Sequence, residues 1–192
     1  MPGPIWTSPA PPGNPAARRA PPAGRFRSWW NSCCKGRAEP SRHTGGIVAP
    51  ERVDFYVLNQ ADDASRLGYA CMIAAKAWRQ GHRVYMQVDT PGEAEALDRM
   101  LWEYQAASFI PHARTGTPEA ALSPVLIGTE CAPEKWRGML VSLTRALPEG
   151  AAECRRVADL IADSQDHRAA GRERFRAYRA MGVEPGTHEI RL

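Results

Sequence analysis

The chain has 192 residues, with 25 Lys+Arg against 21 Asp+Glu, a formal charge of +4 and 43% apolar residues. That length suits one domain with a real core and is too short for two. Residues 1–47 hold seven Lys+Arg and one Glu, so this stretch is +6 and the remainder −2, and the arginine found later in the chain cannot be ascribed to bulk composition.

No stretch is long and apolar enough to span a bilayer, and the N-terminus lacks a secretory apolar region, so a soluble cytoplasmic protein is expected. The five cysteines, Cys33, Cys34, Cys71, Cys131 and Cys154, are odd in number. They form no C-x-x-C pair and no Cys/His cluster of zinc-ligand spacing, so reduced thiols and no metal site are expected.

Residues 1–50 contain ten of the seventeen prolines, with Arg18, Arg19, Arg25 and Arg27, and no helical or strand periodicity. Low apolar content and frequent proline predict a disordered extension, leaving 51–192 as the folded domain. One reading puts the true start of translation near Val48. The intact mass of the natively expressed protein tests this, and a mass matching all 192 residues excludes it.

Val53-Asp-Phe-Tyr-Val-Leu58 is β-branched and aromatic and predicts a first strand. Asp62, Asp63 and Ser65 offer N-caps for a helix to about Gln80, with Leu67, Cys71, Ala74 and Trp78 as one buried stripe and Gly81 as its stop. Val84, Met86 and Val88 alternate with Arg83, Tyr85 and Gln87 as a second strand should. Thr90-Pro-Gly-Glu93 carries a capping box with proline at the first helical position. It opens a helix that turns Ala94, Leu97, Leu101 and Tyr104 inward.

Ser108-Phe-Ile-Pro-His112 reads as a short strand, and residues 113–124 as a polar loop. Val125-Leu-Ile127 and Gly138-Met-Leu-Val-Ser-Leu143 have the apolar runs of buried central strands. Cys154–Ile161 suits strand or helix, and strand is favoured because another helix follows at once. Its cap is Asp163 or Ser164 and its stop Gly182. Strands alternating with helices predict an α/β domain with a largely parallel sheet. The nucleotide-binding form of that class needs a glycine-rich first turn. Here the turn is Asn59-Gln-Ala-Asp-Asp-Ala-Ser65, with no glycine and two carboxylates, so no phosphate-binding loop and no nucleotide cofactor are expected.

The last helix holds the most informative segment, Arg168-Ala-Ala-Gly-Arg-Glu-Arg-Phe-Arg-Ala-Tyr-Arg179. Arg168, Arg172, Arg176 and Arg179 recur at helical steps and form one positive strip, with Phe175 beside it. Such a strip suits a partner carrying carboxylates or phosphates together with an apolar group. Most charged helix faces merely meet solvent, but here only Glu173 interrupts the run, and uncompensated like charges cost stability unless a partner neutralises them. Arg174 points off the strip and is expected to be solvated. Trp102 lies off the stripe of Leu97, Leu101 and Tyr104, which makes it a candidate for exposure. Trp78 and Trp136 fit either packing or a partner contact. The histidines are scattered, the serines lack a nucleophile elbow, and no paired carboxylates suggest an acid/base or two-metal site.

Five segments in order resemble a known family: Val53-Asp-Phe-Tyr-Val-Leu58, Ala77-Trp-Arg-Gln-Gly-His-Arg-Val84, Leu97-Asp-Arg-Met-Leu-Trp102, Ser108-Phe-Ile-Pro-His112 and Arg172-Glu-Arg-Phe-Arg-Ala-Tyr-Arg179. They look like the chi subunit of bacterial DNA polymerase III, over residues 51 to 192. The resemblance implies a Rossmann-like three-layer α/β sandwich and a non-catalytic replication subunit without cofactor. It further implies pairing with the psi subunit of the clamp-loader assembly and binding of the acidic C-terminal tail of single-stranded DNA-binding protein, which ends in proline and phenylalanine. The family's tail-binding region corresponds to Trp102 and Phe109 on one side and Arg168, Arg172, Phe175, Arg176 and Arg179 on the other. Lysine is commoner in the family where Arg168 and Arg176 stand, and tyrosine where Phe175 stands, so charge is kept and a hydroxyl lost. The rival reading is direct binding of single-stranded nucleic acid by the same arginines, with Phe175 stacking on a base.

Overall fold

The computed structural model describes residues 49–104 and 109–191, so nearly all of the expected N-terminal extension lies outside the described residues. Seven strands, β1 (Arg52–Leu58), β2 (Val84–Gln87), β3 (His112–Arg114), β4 (Val125–Gly128), β5 (Met139–Ser142), β6 (Arg156–Ile161) and β7 (Gly186–Ile190), form one sheet in the order β3-β4-β2-β5-β6-β1-β7. Every pairing is parallel. Three helices connect them: α1 (Asp63–Arg79), α2 (Pro91–Glu103) and α3 (Gln165–Ala180).

The crossovers through α1 and α2 run toward the β3 edge, whereas α3 runs from β6 outward to β7. Right-handed crossovers of opposite direction place their helices on opposite faces of a sheet. Neighbouring residues of β1 record this division, because their side chains alternate between faces. Tyr56 meets Tyr69 of α1 with ring centroids 5.8 Å apart, while Phe55 meets Phe175 and Tyr178 of α3 at 5.5 and 6.0 Å. Helix α2 packs beside α1 and over β3 and β4. On the other face α3 is joined by short 3-10 turns that bring Trp136 and Ala151 into the same buried cluster as Phe55, Tyr85 and Tyr178. The described domain is therefore an α/β sandwich of three layers, Rossmann-like in plan.

The local signals act where expected. Asp62 caps α1 by accepting the Ser65 amide at 2.8 Å, and Gly81 ends the helix at φ +81°. Around α2 the Thr90–Glu93 capping box is closed on both sides, at 3.2 and 3.1 Å. The Ser65 amide after β1 is thus bonded to a carboxylate, at the place where a nucleotide-binding turn presents amides to phosphate.

Burial corrects several expectations. The second strand is present as β2, and all four of its residues are buried, Tyr85 and Gln87 included, because the strand is central and covered on both faces. Helix α1 lies between the sheet and α2, and it buries Tyr69, Ala70, Ile73, Ala75 and Ala77 beyond the expected stripe. Tyr104, expected inward, is the half-buried C-cap of α2. The strand expected over 108–112 is instead His112–Arg114: pairing begins where His112 meets Val125, the first residue of β4, so Phe109 and Ile110 precede it. Ser108 falls outside the described residues. The supposed polar loop of 113–124 accordingly contains most of β3 and a 3-10 turn at Pro118–Ala121. Strand β7 has no counterpart in the sequence reading, since Gly-Thr-His-Glu-Ile is polar and alternates between half-buried and exposed at a sheet edge.

Candidate functional site

Helix α3 begins at Ser164, whose hydroxyl accepts the His167 amide at 3.2 Å, and ends before Gly182, which adopts φ +84°. Its inner face buries Gly171, Arg174 and Tyr178, residues three and four apart. At Gly171 the helix lies directly on β6, where an added Cβ would fall 2.3 Å from the Ile161 side chain. Phe175 is half-buried, with one side of its ring against Phe55.

The strip is formed as expected: Arg168, Arg172, Arg176 and Arg179 are all exposed. Its charge is less bare than the local sequence indicates. Arg168 meets Asp163 at 2.7 Å, Arg176 meets Glu173 at 2.5 Å, and Arg179 lies 3.7 Å from Glu184. Asp163 and Glu184 come from the loops at the two ends of α3. Among the described residues Arg172, at the centre, has no acidic partner. Exposed pairs of this kind are worth about 0 to 1 kcal/mol each and are easily exchanged.

Arg174 is the clear correction. It is buried rather than solvated, and its Nε and Nη2 donate to the two carboxylate oxygens of Asp159 at 2.8 and 2.7 Å. Its Nη1 donates to the Arg145 carbonyl at 2.6 Å. Asp159, on β6, is fully buried. Burial holds the Asp159 carboxyl above its ordinary range, with the Arg174 bonds pulling against that rise; burial likewise opposes the Arg174 charge, but Asp159 outweighs it and holds the guanidinium above its ordinary range. With both oxygens accepting from one fork, the geometry is that of an ion pair. The sequence held the signal, since Arg174 stands three residues after Gly171 and four before Tyr178.

Trp102 and Phe109 form a second exposed feature. They are 60% and 61% exposed, with ring centroids 5.3 Å apart. Beneath them lies His112, 5.2 Å from the Trp102 ring and edge-on to it. Its Nδ1 lies 2.7 Å from the Ile110 carbonyl oxygen and its Nε2 3.2 Å from that of Asp98, so it forms a fixed prop. Trp136, by contrast, is core: it is buried and donates its indole N–H to the Ser123 carbonyl at 3.1 Å. Trp78 is half-buried on α1.

The seven candidate residues therefore fall into two groups. Arg168, Arg172, Phe175, Arg176 and Arg179 lie over β6 and β1; Trp102 and Phe109 lie beside β3, four strands from β6 and on the opposite face. At the usual strand spacing those four steps amount to about 19 Å.

The model of the family described as DNA polymerase III chi subunit, HolC, matches residues 51–186. The chain belongs to the chi family. It is 38% identical over 139 residues to the DNA polymerase III subunit chi of Pseudomonas aeruginosa, covering 72% of this chain and 96% of that protein. The subunit of the same name from Escherichia coli is 31% identical over 141 residues, covering 69% of this chain and 94% of the relative. That from Haemophilus influenzae is 24% identical over 144 residues, covering 71% and 95%. The matched region of this chi chain contains both the arginine strip and the aromatic pair, and the resemblance stated from five segments holds over residues 51–186. Among the described residues no three His, Cys, Asp or Glu are grouped to hold a metal ion, and no helix is long and apolar enough to cross a membrane.

Proposed function

We propose that this chi chain is a non-catalytic, cytoplasmic bridging subunit of the DNA polymerase III holoenzyme at the replication fork. One surface joins the psi subunit of the clamp loader, and the other holds the acidic C-terminal tail of single-stranded DNA-binding protein. The observation that carries this reading is the presence of two exposed surfaces of different chemistry on opposite faces of one sheet. Arg168, Arg172, Arg176 and Arg179, with Phe175 among them, offer charge-assisted bonds and an apolar contact to a peptide of carboxylates ending in proline and phenylalanine. Trp102 and Phe109 offer the clustered aromatic area that anchors a folded partner, and they are assigned here to psi. This assignment moves the two aromatics out of the peptide pocket in which the family pattern places them.

The test uses both partners against two variants. Arg172→Glu is expected to abolish binding of a labelled tail peptide and leave psi pairing intact, and Trp102→Ala to do the reverse. Loss of peptide binding in Trp102→Ala returns the aromatics to the peptide site. Single-stranded DNA serves as competitor: tight binding of an oligonucleotide that displaces the peptide favours the nucleic-acid reading of the same arginines.

A further inference from the structure

We infer that the buried Arg174–Asp159 pair is a positioning device that sets the roll of α3 and so aims the arginine strip at its ligand; this rests on the acidic-peptide reading above. Helix α3 makes few buried polar contacts that could define its roll. It buries only Gly171, Arg174 and Tyr178, whereas α1 buries nine residues. Gly171 brings the helix close to Ile161, and Phe175 and Tyr178 pack on Phe55, but these apolar contacts carry no directional bond. A bidentate fork is directional, because both N–H bonds require one orientation of the guanidinium plane. Arg174 is in addition tied by Nη1 to the Arg145 carbonyl, and the Arg145 amide donates to Asp89 at 2.8 Å. The helix is thereby referenced to β6 through Asp159 and to the loop after β5 through Arg145. On a helix of 100° per residue, Arg168, Arg172, Arg176 and Arg179 project roughly 120° to 160° from Arg174. Fixing Arg174 inward therefore fixes the strip outward, with Phe175 at its inner border against Phe55. Arg174 is itself too buried to meet the peptide, so it acts through the others.

The test is made on the full chain carrying Asp159→Leu and Arg174→Met together. This removes both charges and replaces a buried pair by apolar side chains of similar size, an exchange often tolerated for stability. Affinity for a synthetic acidic peptide ending in proline and phenylalanine, and amide hydrogen exchange of α3 relative to α1, are read on one sample. The expected result is a melting temperature within about 5 °C of the parent, a peptide affinity lower by about tenfold, and α3 exchange faster by about tenfold. Parental affinity at parental stability overturns the role in recognition, whatever the exchange shows. If the double variant does not fold, Arg174→Lys replaces it. Lysine keeps the charge but gives up the fork, so an intermediate loss of affinity is expected and full affinity overturns the inference. If the parent chain binds no such peptide, the acidic-peptide reading itself fails; α3 exchange in the same variants then decides the positioning role, and unchanged exchange overturns it.

Discussion

The outward face of α3 and the Trp102–Phe109 pair are both exposed, yet they differ in what they ask of a partner. The first spreads four cations along a helix, three of them already in weak exposed pairs, so its binding energy is divided and electrostatic. The second concentrates two aromatic rings on a fixed histidine, so its energy is apolar and local. A dispersed, exchangeable surface suits a flexible tail. A compact anchor on a stiff support suits a folded subunit.

The sharpest way to break the comparison is to unseat one region without touching the other. Asp159→Ala leaves Arg174 buried and unpaired, and a loss of about 3 to 5 kcal/mol in urea unfolding is expected. The aromatic pair is answered next. Trp102→Ala should weaken psi pairing by about 2 to 4 kcal/mol in calorimetry while tail affinity stays within about twofold, as expected of a hot-spot aromatic. Arg172→Ala, which removes the strip cation that has no acidic partner among the described residues, should weaken the tail peptide by about 1.5 to 3 kcal/mol and leave psi untouched. Salt sharpens the contrast further. Between 0.05 and 0.5 M, roughly tenfold weaker tail binding is expected, with psi pairing little changed, because screening acts on the exposed charges.

The smallest expected effect lies outside both regions and serves as a control. Asp54 on β1 is buried, yet its pKa is lowered: burial raises it, and the bonds from Arg52 and Arg156, with His188, outweigh that rise. A carboxyl depressed on folding contributes stability above its ordinary value of 3.8, and loses it as pH falls through the lower folded value. Stability should therefore fall as pH drops below about 4, and Asp54→Asn should flatten that fall in unfolding midpoints measured against pH.

Much of this was legible in the chain. The Thr90–Glu93 box, Ser164, Gly81 and Gly182 set helix ends by local chemistry, and the runs 125–127 and 138–143 announce buried strands because only apolar residues suit a strand covered on both faces. Strand β7 was illegible because its partner, β1, lies more than a hundred residues earlier and its own residues are polar. The arginine strip was legible because four residues at helical spacing share a face whatever the helix packs on. The acids beside it were not, since Asp163 and Glu184 reach it only through the capping turns.

The sequence by itself determined the alternation of strands and helices from β1 to α3 in outline, and the outward set of Arg168, Arg172, Arg176 and Arg179, because each depends on neighbours within a few residues. Only the tertiary structure decided that Arg174 faces Asp159 rather than water, and that Trp102 and Phe109 stand apart from the strip. Both outcomes follow from the direction of crossovers over the sheet. That direction puts α2 and α3 on opposite faces, and no local spacing encodes it.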